Sequence, residues 1–406
     1  MGRVTKTTAS LAIVLILIFM TAPVSLQYTR SPVLEVLTGT NPTLAQEYTE
    51  SLPIRIEGNL FFANGPWNGS GTSVDPYLIE GLMIEATESA IEISGTDAHF
   101  VISDCVLVGD YTGDSVGILL SDVTNGHIRN VIVEHTRYGI RIASSVNNTV
   151  SNVSVSGNFI GLQIDQSNRT SADWNRLFGN TYGIHLVGAR ECNLTENVIY
   201  GNEVVGILMD GESQNCTALR NTIGWNGPSA TTPSNAMDNG AFNLWYDVNE
   251  SAGNMWSDYI GAGRYEINGT SNSFDLYPGF LTDFIQPTVD SPEDLRLEEG
   301  GNPESILWNA SDEYARMYEV LLDGVRIISD IWRGGTVNVT AFPERVGAYN
   351  YTLIIQDAVG NTAMDTVYVV VILPMFGGLG TTQILVSSAM SVLAVILVVV
   401  IIKKMR

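Results

Sequence analysis

Gly117-Ile118-Leu119-Leu120, Gly139-Ile140-Arg141-Ile142, Gly161-Leu162-Gln163-Ile164, Gly183-Ile184-His185-Leu186 and Gly206-Ile207-Leu208-Met209 are five copies of one pattern, a glycine followed by alternating apolar residues. They recur at steps of 22, 22, 22 and 23 residues. A second series runs Asp104, Asn130, Asn152, Asn175, Asn197, Asn221, and a third runs Asn158, Asn180, Asn202, Asn226. Three series in phase are the signature of a repeat architecture. The apolar period is two, which fits strands and excludes a helix. About 22 residues at ~3.3 Å each, broken by turns at Gly and Asn, suit one coil made of three short strands. Ile118/Leu120, Ile140/Ile142, Leu162/Ile164, Ile184/Leu186 and Ile207/Met209 then point inward. Stacked coil on coil they form aliphatic columns, each side chain contributing roughly 1.5–3 kcal/mol by burial. Asparagines suit the turns because they tolerate left-handed backbone. Their amides can also bond along a column, at roughly 0.5–1.5 kcal/mol net per bond. The expected fold is all-β, a parallel β-helix over residues 54–285.

These columns resemble the repeats of NosD-type and carbohydrate-binding/sugar-hydrolysis (CASH) domain proteins. The resemblance implies a right-handed coil. Its entry block is similar to Gly69-Ser70-Gly71-Thr72 with Asp75-Pro76-Tyr77-Leu78-Ile79-Glu80-Gly81-Leu82. Its exit block looks like Asn254-Met255-Trp256-Ser257-Asp258-Tyr259 followed by Asp275-Leu276-Tyr277-Pro278. Such blocks would cap the open edges of the solenoid, which otherwise invite aggregation. The layout looks like that of archaeal surface proteins. The NosD name implies copper, which needs converging His, Cys or Met ligands. His99, His127, His135 and His185 fall at different points of the repeat, so no metal and no other cofactor is expected. Polygalacturonase-like β-helices carry Asn-Thr-Asp, Asp-Asp, Gly-His-Gly and Arg-Ile-Lys motifs. Only Gly126-His127-Ile128 and Arg141-Ile142-Ala143 match, in part. Pectate-lyase-like enzymes need a carboxylate cluster for calcium on adjacent coils, and Asp312-Glu313 and Glu298-Glu299 read as surface charge.

The flanks define topology. The chain has 406 residues, 20 Lys+Arg against 43 Asp+Glu, and a formal net charge of -23. Its only lysines are Lys6, Lys403 and Lys404, at the two ends. An acidic exterior without lysine argues against a nucleic-acid partner and excludes Schiff-base and P-loop chemistry there. Residues 1–26 combine Arg3 and Lys6, an apolar run from Leu11 to Met20 and small residues, the parts of a signal peptide. Residues 27–53 read as a linker. Ile384 to Ile402 is uncharged and long enough to span a bilayer, and the basic tail 403–406 places the C-terminus in the cytoplasm. Residues 374–383 read as a second linker. Leu373-Pro374-Met375-Phe376-Gly377 is similar to a sortase-type signal but has Phe where that family needs Thr, so the helix is read as a retained anchor. Residues 286–373 alternate with period two around Asp323-Gly324, a hairpin signal, and resemble an Ig-like or fibronectin-like β-sandwich spacer. Sequons occur at Asn68, Asn147, Asn152, Asn168, Asn193, Asn215, Asn249, Asn268, Asn309, Asn338 and Asn350, all candidates for glycosylation. The expected localisation is the cell membrane, single-pass, with the bulk outside.

Function is sought on the outward face of the first strand of each coil. Coils ~4.8 Å apart should bring Arg141, Gln163, Asp165, His185 and Asp210 into one patch. Asp165 and Asp210, two coils or roughly 9–10 Å apart, approach the spacing of an inverting glycosidase pair, with His185 between them. Asp165, His185 and Asp210 are therefore the catalytic candidates, and the same five residues are the ligand-binding candidates. Three readings follow. The first is a non-catalytic, membrane-anchored surface protein whose β-helix binds polysaccharide or contacts surface glycoproteins. The second is a glycoside hydrolase or lyase. The third is a structural envelope component. Cys192 and Cys216 should stack on adjacent coils, either as a disulfide or as two reduced core thiols, with Cys105 left over.

Overall fold

The computed structural model describes residues 48–374, apart from 111–112, 229–233, 284 and 343. The signal-like segment, the apolar stretch 384–402 and the basic tail lie outside the described residues. Among the described residues no helix is long and apolar enough to cross a membrane.

Three parallel sheets of eight, seven and ten strands run the length of the solenoid. Within one coil the chain passes through the first sheet at Tyr138–Ala143, the second at Thr149–Ser151 and the third at Ser154–Ser156, then re-enters the first at Ile160–Asp165. Register is strict: Ile140 pairs with Ile118 and Leu162, and Ile142 with Leu120 and Ile164. These aliphatic columns are buried and form one continuous core. The glycine that opens each copy of the motif is a steric requirement. A Cβ on Gly139 would lie 2.4 Å from Val155 Cγ1 and 2.5 Å from the Gly161 carbonyl oxygen.

The corners repeat too. Between the second and third sheets Asp104, Asn130, Asn152, Trp174, Glu196 and Arg220 all take left-handed backbone, with φ between 50° and 59°. Before the second sheet Asn125, Asn147, Arg169, Glu191, Asn215 and Phe242 do the same, with φ between 53° and 68°. This corrects the second asparagine series. Asp104, Asn130 and Asn152 stand at the exposed corner, whereas Asn175, Asn197 and Asn221 stand one position further on, in the buried column that begins Cys105, Val131, Val153. The 23-residue step from Asn152 to Asn175 conceals the change of column, because asparagine suits both a left-handed corner and a buried amide stack. In the buried column Asn175, Asn197 and Asn221 each donate through Nδ2 to the next Oδ1, ending on Asn254. The third series is a second such ladder, running from Asn158 through Asn180, Asn202 and Asn226 to Asn235.

Both ends are closed. Gly58–Asn64, the one helix among the described residues, buries Phe62 against the rings of Tyr77 and Phe100. At the other end buried Asp238 and Asp275 accept the indole N–H groups of Trp245 and Trp256 at 3.0 and 2.9 Å. The exit block supplies one of these tryptophan–carboxylate locks, Trp256 with Asp275, and the other lies just before it.

Beyond the solenoid, Leu295–Glu298, Thr362–Ile372, Gly347–Asp357, Ala315–Leu322 and Val325–Ile331 form a five-stranded sheet in that order. Glu304–Trp308 pairs with Val337–Ala341, and residues of both sheets share a second core around Trp308, Trp332 and Leu353. Asp323 and Gly324 take φ of 49° and 78° and turn the expected hairpin. The module packs back on the third sheet of the solenoid. Phe178, Tyr200, Leu281, Tyr314 and Ala358 make a shared apolar cluster. Arg176 Nη2 donates to the Glu313 carbonyl at 2.8 Å, Tyr200 Oη to that of Ala315 at 2.9 Å, and Arg333 pairs with buried Glu134.

Candidate functional site

Parallel register builds the candidate site as one row across the first sheet. Arg141 lies beside Leu119 and Gln163, Gln163 beside His185, and His185 beside Leu208. The expected juxtaposition of Arg141, Gln163 and His185 is present. Asp165 is one step along the strand, and its Oδ2 accepts from Arg141 Nη2 at 2.6 Å. Aromatic rings border the row. Arg141 lies 5.2 Å from the centre of the Tyr138 ring, and His185 is stacked on Tyr182 at 6.0 Å. Phe159, 46% exposed, meets Tyr182 edge-on at 5.6 Å. Arg137 sits over both Tyr138 and Phe159 and is paired with Asp114 at 2.9 Å.

Three neighbouring side chains of the row each hold a buried polar atom without a hydrogen-bond partner: Arg141 Nε, Gln163 Oε1 and His185 Nδ1. Gln163 is only 7% exposed. An unpaired buried polar atom costs roughly 1–3 kcal/mol, so three in succession are an expensive arrangement for a merely solvated face. Burial lowers the His185 pKa from its ordinary value, outweighing the opposing pull of Asp210 and Asp165, so the imidazole is neutral at pH 7.

Asp210 does not complete a carboxylate pair in the open. It follows the strand Val205–Met209, and its Oδ1 accepts from the N–H groups of Gly188, Glu212 and Ser213 and from Ser213 Oγ, at 2.7–3.1 Å. That oxygen closes a turn. With Asp165 held by Arg141, neither carboxylate is arranged as a free acid or base.

Sequence reasoning missed two other features. A cleft of about 640 Å³ lies between solenoid and module, lined by Thr136, Arg137, Phe159 and Thr181 on one side and by Met317 and Ser329 on the other. Asp283, Asp312 and Asp357, from three distant segments, bring carboxylate oxygens within 4.8 Å of one another. Asp357 Oδ1 accepts three backbone N–H groups. Burial, reinforced by the neighbouring carboxylates, raises the Asp312 pKa to about 6. No local motif announces a cluster assembled from such separated segments, which is why Asp312 reads in sequence as plain surface charge.

The cysteines are all free and buried. Cys192 and Cys216 do share a column on adjacent coils, as reduced thiols and not as a disulfide. Their Sγ atoms lie 3.3 and 3.6 Å from the carbonyls of Arg190 and Gln214. Among the sequons, Asn168 and Asn338 are half-buried and the other nine asparagines are exposed.

Residues 89–253 match the family model described as the right handed beta helix region. The middle of this chain is a parallel β-helix similar to that family. No curated protein matches it. Among solved structures, the alginate lyase from Paenibacillus sp. str. FPU-7 shares 12% sequence identity, covering 50% of this chain and 76% of that one, with a TM-score of 0.38. The enzymatically active domain of tailspike protein 2 from bacteriophage CBA120 shares 11%, covering 82% and 75%, with a TM-score of 0.34. The fibronectin(III)-like modules of Clostridium thermocellum CbhA share 17%, covering 22% and 100%, with a TM-score of 0.18. Likeness at this level carries no argument about activity.

Proposed function

We propose that the outward face of the first sheet is a glycan-binding surface, and that the protein is a non-catalytic cell-surface β-helix protein. The observation that carries this reading is the row of three buried, unpartnered polar atoms beside Tyr138 and Tyr182. Saccharides offer hydroxyls, which both donate and accept, and apolar C–H faces that lie on aromatic rings; binding sites generally combine such rings with a few convergent polar groups. The same face argues against hydrolysis or lysis, because Asp165 is held by Arg141 and Asp210 by its own turn.

The surrounding organisation belongs to the same proposal. A cleaved signal peptide over 1–26 and a transmembrane anchor over 384–402 would carry the solenoid outside the cell. The module 286–373, read as an Ig-like spacer, would hold it off the membrane. The NosD/CASH resemblance and an archaeal surface origin fit this arrangement, as does glycosylation at exposed sequons. A glycan array probed with the full-length protein tests the central claim. Retention of specific glycans by the wild type, and their loss in Gln163→Leu, is expected. Release of reducing sugar by the wild type, abolished in Asp165→Asn, would overturn the non-catalytic reading. Absence of any binding would overturn the glycan reading and favour a structural envelope role.

A further inference from the structure

We infer that the row takes a short, uncharged saccharide rather than a polyanionic one; this rests on the glycan-binding reading above and sharpens it. The two arginines at the row are already paired, Arg141 with Asp165 at 2.6 Å and Arg137 with Asp114 at 2.9 Å. The other ladder members, Gln163 and His185, offer no fixed positive charge. Asp210 closes the turn after the strand beside His185, Glu203 accepts from Thr181 and Glu212 lies against Gly188, while Arg55, further along the same row, is paired with Glu92 at 2.6 Å. A carboxylate or sulfate on the ligand would have to displace Asp165 from Arg141 and enter a field of like charge, which is costly in a partly desolvated site.

The unpartnered atoms are a donor at Arg141 Nε, an acceptor at Gln163 Oε1 and, at His185 Nδ1, a nitrogen whose role depends on the tautomer. A mixed donor and acceptor set suits hydroxyl groups, whereas an anionic group presents acceptors only. Leu119 and Leu208 flank the three polar side chains, which span about 10 Å between the outer two strands at the usual strand spacing; beyond Leu119 the row resumes with Glu92, paired with Arg55 at 2.6 Å. A row bounded by leucines holds a short segment or a chain end. A long polymer tracking the solenoid axis would meet Leu119 and then the closed Arg55–Glu92 ion pair on one side, and Leu208 followed by Met237 on the other.

Isothermal titration of the full-length protein separates these cases. The probes are neutral trisaccharides (maltotriose, cellotriose, mannotriose, tri-N-acetylchitotriose), acidic trisaccharides (galacturonate and mannuronate), and the hexasaccharides of each. At least one neutral trisaccharide should bind, with affinity unchanged between low and high salt and no gain beyond about two-fold on lengthening to the hexamer. Gln163→Leu should weaken that binding about ten-fold or more, because the ligand loses an acceptor, while leaving the thermal midpoint unchanged or raised, because an unpaired buried atom is removed. Preferential binding of the acidic set, a strong loss of affinity with salt, or continued gain with chain length would overturn this inference and leave the glycan reading standing. Binding by neither set would overturn both.

Discussion

Replacing Asn197 by alanine tests the amide ladder and, with it, the corrected assignment of the asparagine columns. Asn197 is fully buried. Its Nδ2 donates to the Ala172 carbonyl at 2.8 Å and to Asn221 Oδ1 at 2.9 Å, and its Oδ1 accepts from Asn175 N at 3.0 Å and Asn175 Nδ2 at 2.9 Å. Four bonds at about 1 kcal/mol net each, plus the roughly 1–3 kcal/mol penalty of leaving the Asn175 backbone N–H unpaired, give about 5–7 kcal/mol. Asn152 differs. It is an exposed corner residue whose Nδ2 reaches Asn130 Oδ1 at 2.8 Å, with φ of 50°. Asn152→Ala should therefore cost only about 1–2 kcal/mol, chiefly for left-handed backbone. Urea unfolding followed by circular dichroism measures the global term. Native-state proteolysis detects loss of individual coils, which solenoids undergo because each coil contacts only its neighbours. Equal losses for the two variants, or a cost below about 2 kcal/mol at Asn197, would refute the assignment of Asn197 to the buried column.

The remaining predictions concern other sites. Glu134 is 1% exposed and pairs with Arg333 of the module, so Glu134→Ala should weaken docking by about 3–5 kcal/mol, seen as protease cleavage between solenoid and module, whereas Glu134→Gln with Arg333→Met should come close to wild type. The Asp312 carboxyl binds its proton more tightly folded than unfolded, so stability should rise as pH falls from about 6 to about 4, and Asp312→Asn should remove that slope in thermal melts across the range. Asp210→Ala should destabilise the protein by about 2–4 kcal/mol through its lost turn bonds yet leave ligand affinity within about two-fold; abolished binding would return Asp210 to the site.

The repeat was legible because its physics is local and recurs. A glycine admitted by the close approach of the next coil, two inward aliphatics and a buried asparagine return often enough to reveal their own period. The outward row followed directly, since parallel register with a fixed step dictates that Arg141, Gln163 and His185 be neighbours. What failed was whatever depended on a change of position within the coil. Asn152 and Asn175 carry the same side chain in different columns, and composition gives no sign of the shift. Asp210 keeps the spacing of the row, but its strand has ended and its oxygen faces backbone amides. The packing of the module on the third sheet was out of reach for another reason. Arg333 meets Glu134 and Tyr314 meets Tyr200 across more than a hundred residues of chain, and no short-range pattern encodes that.

The left-handed corners have a consequence of their own. Within one column the occupant changes from Asn152 to Trp174 to Glu196 to Arg220, and in another from Asn215 to Phe242, while the backbone angle stays almost constant. Trp174 is 65% exposed there. The coil constrains the dihedral at these points and leaves the side chain undetermined. Each corner column is therefore an addressable series of pegs at a fixed pitch, on which charge or aromatic surface can be exchanged one coil at a time. Variation at such pegs can alter what the protein meets while the hydrogen-bonded spine beneath stays unchanged.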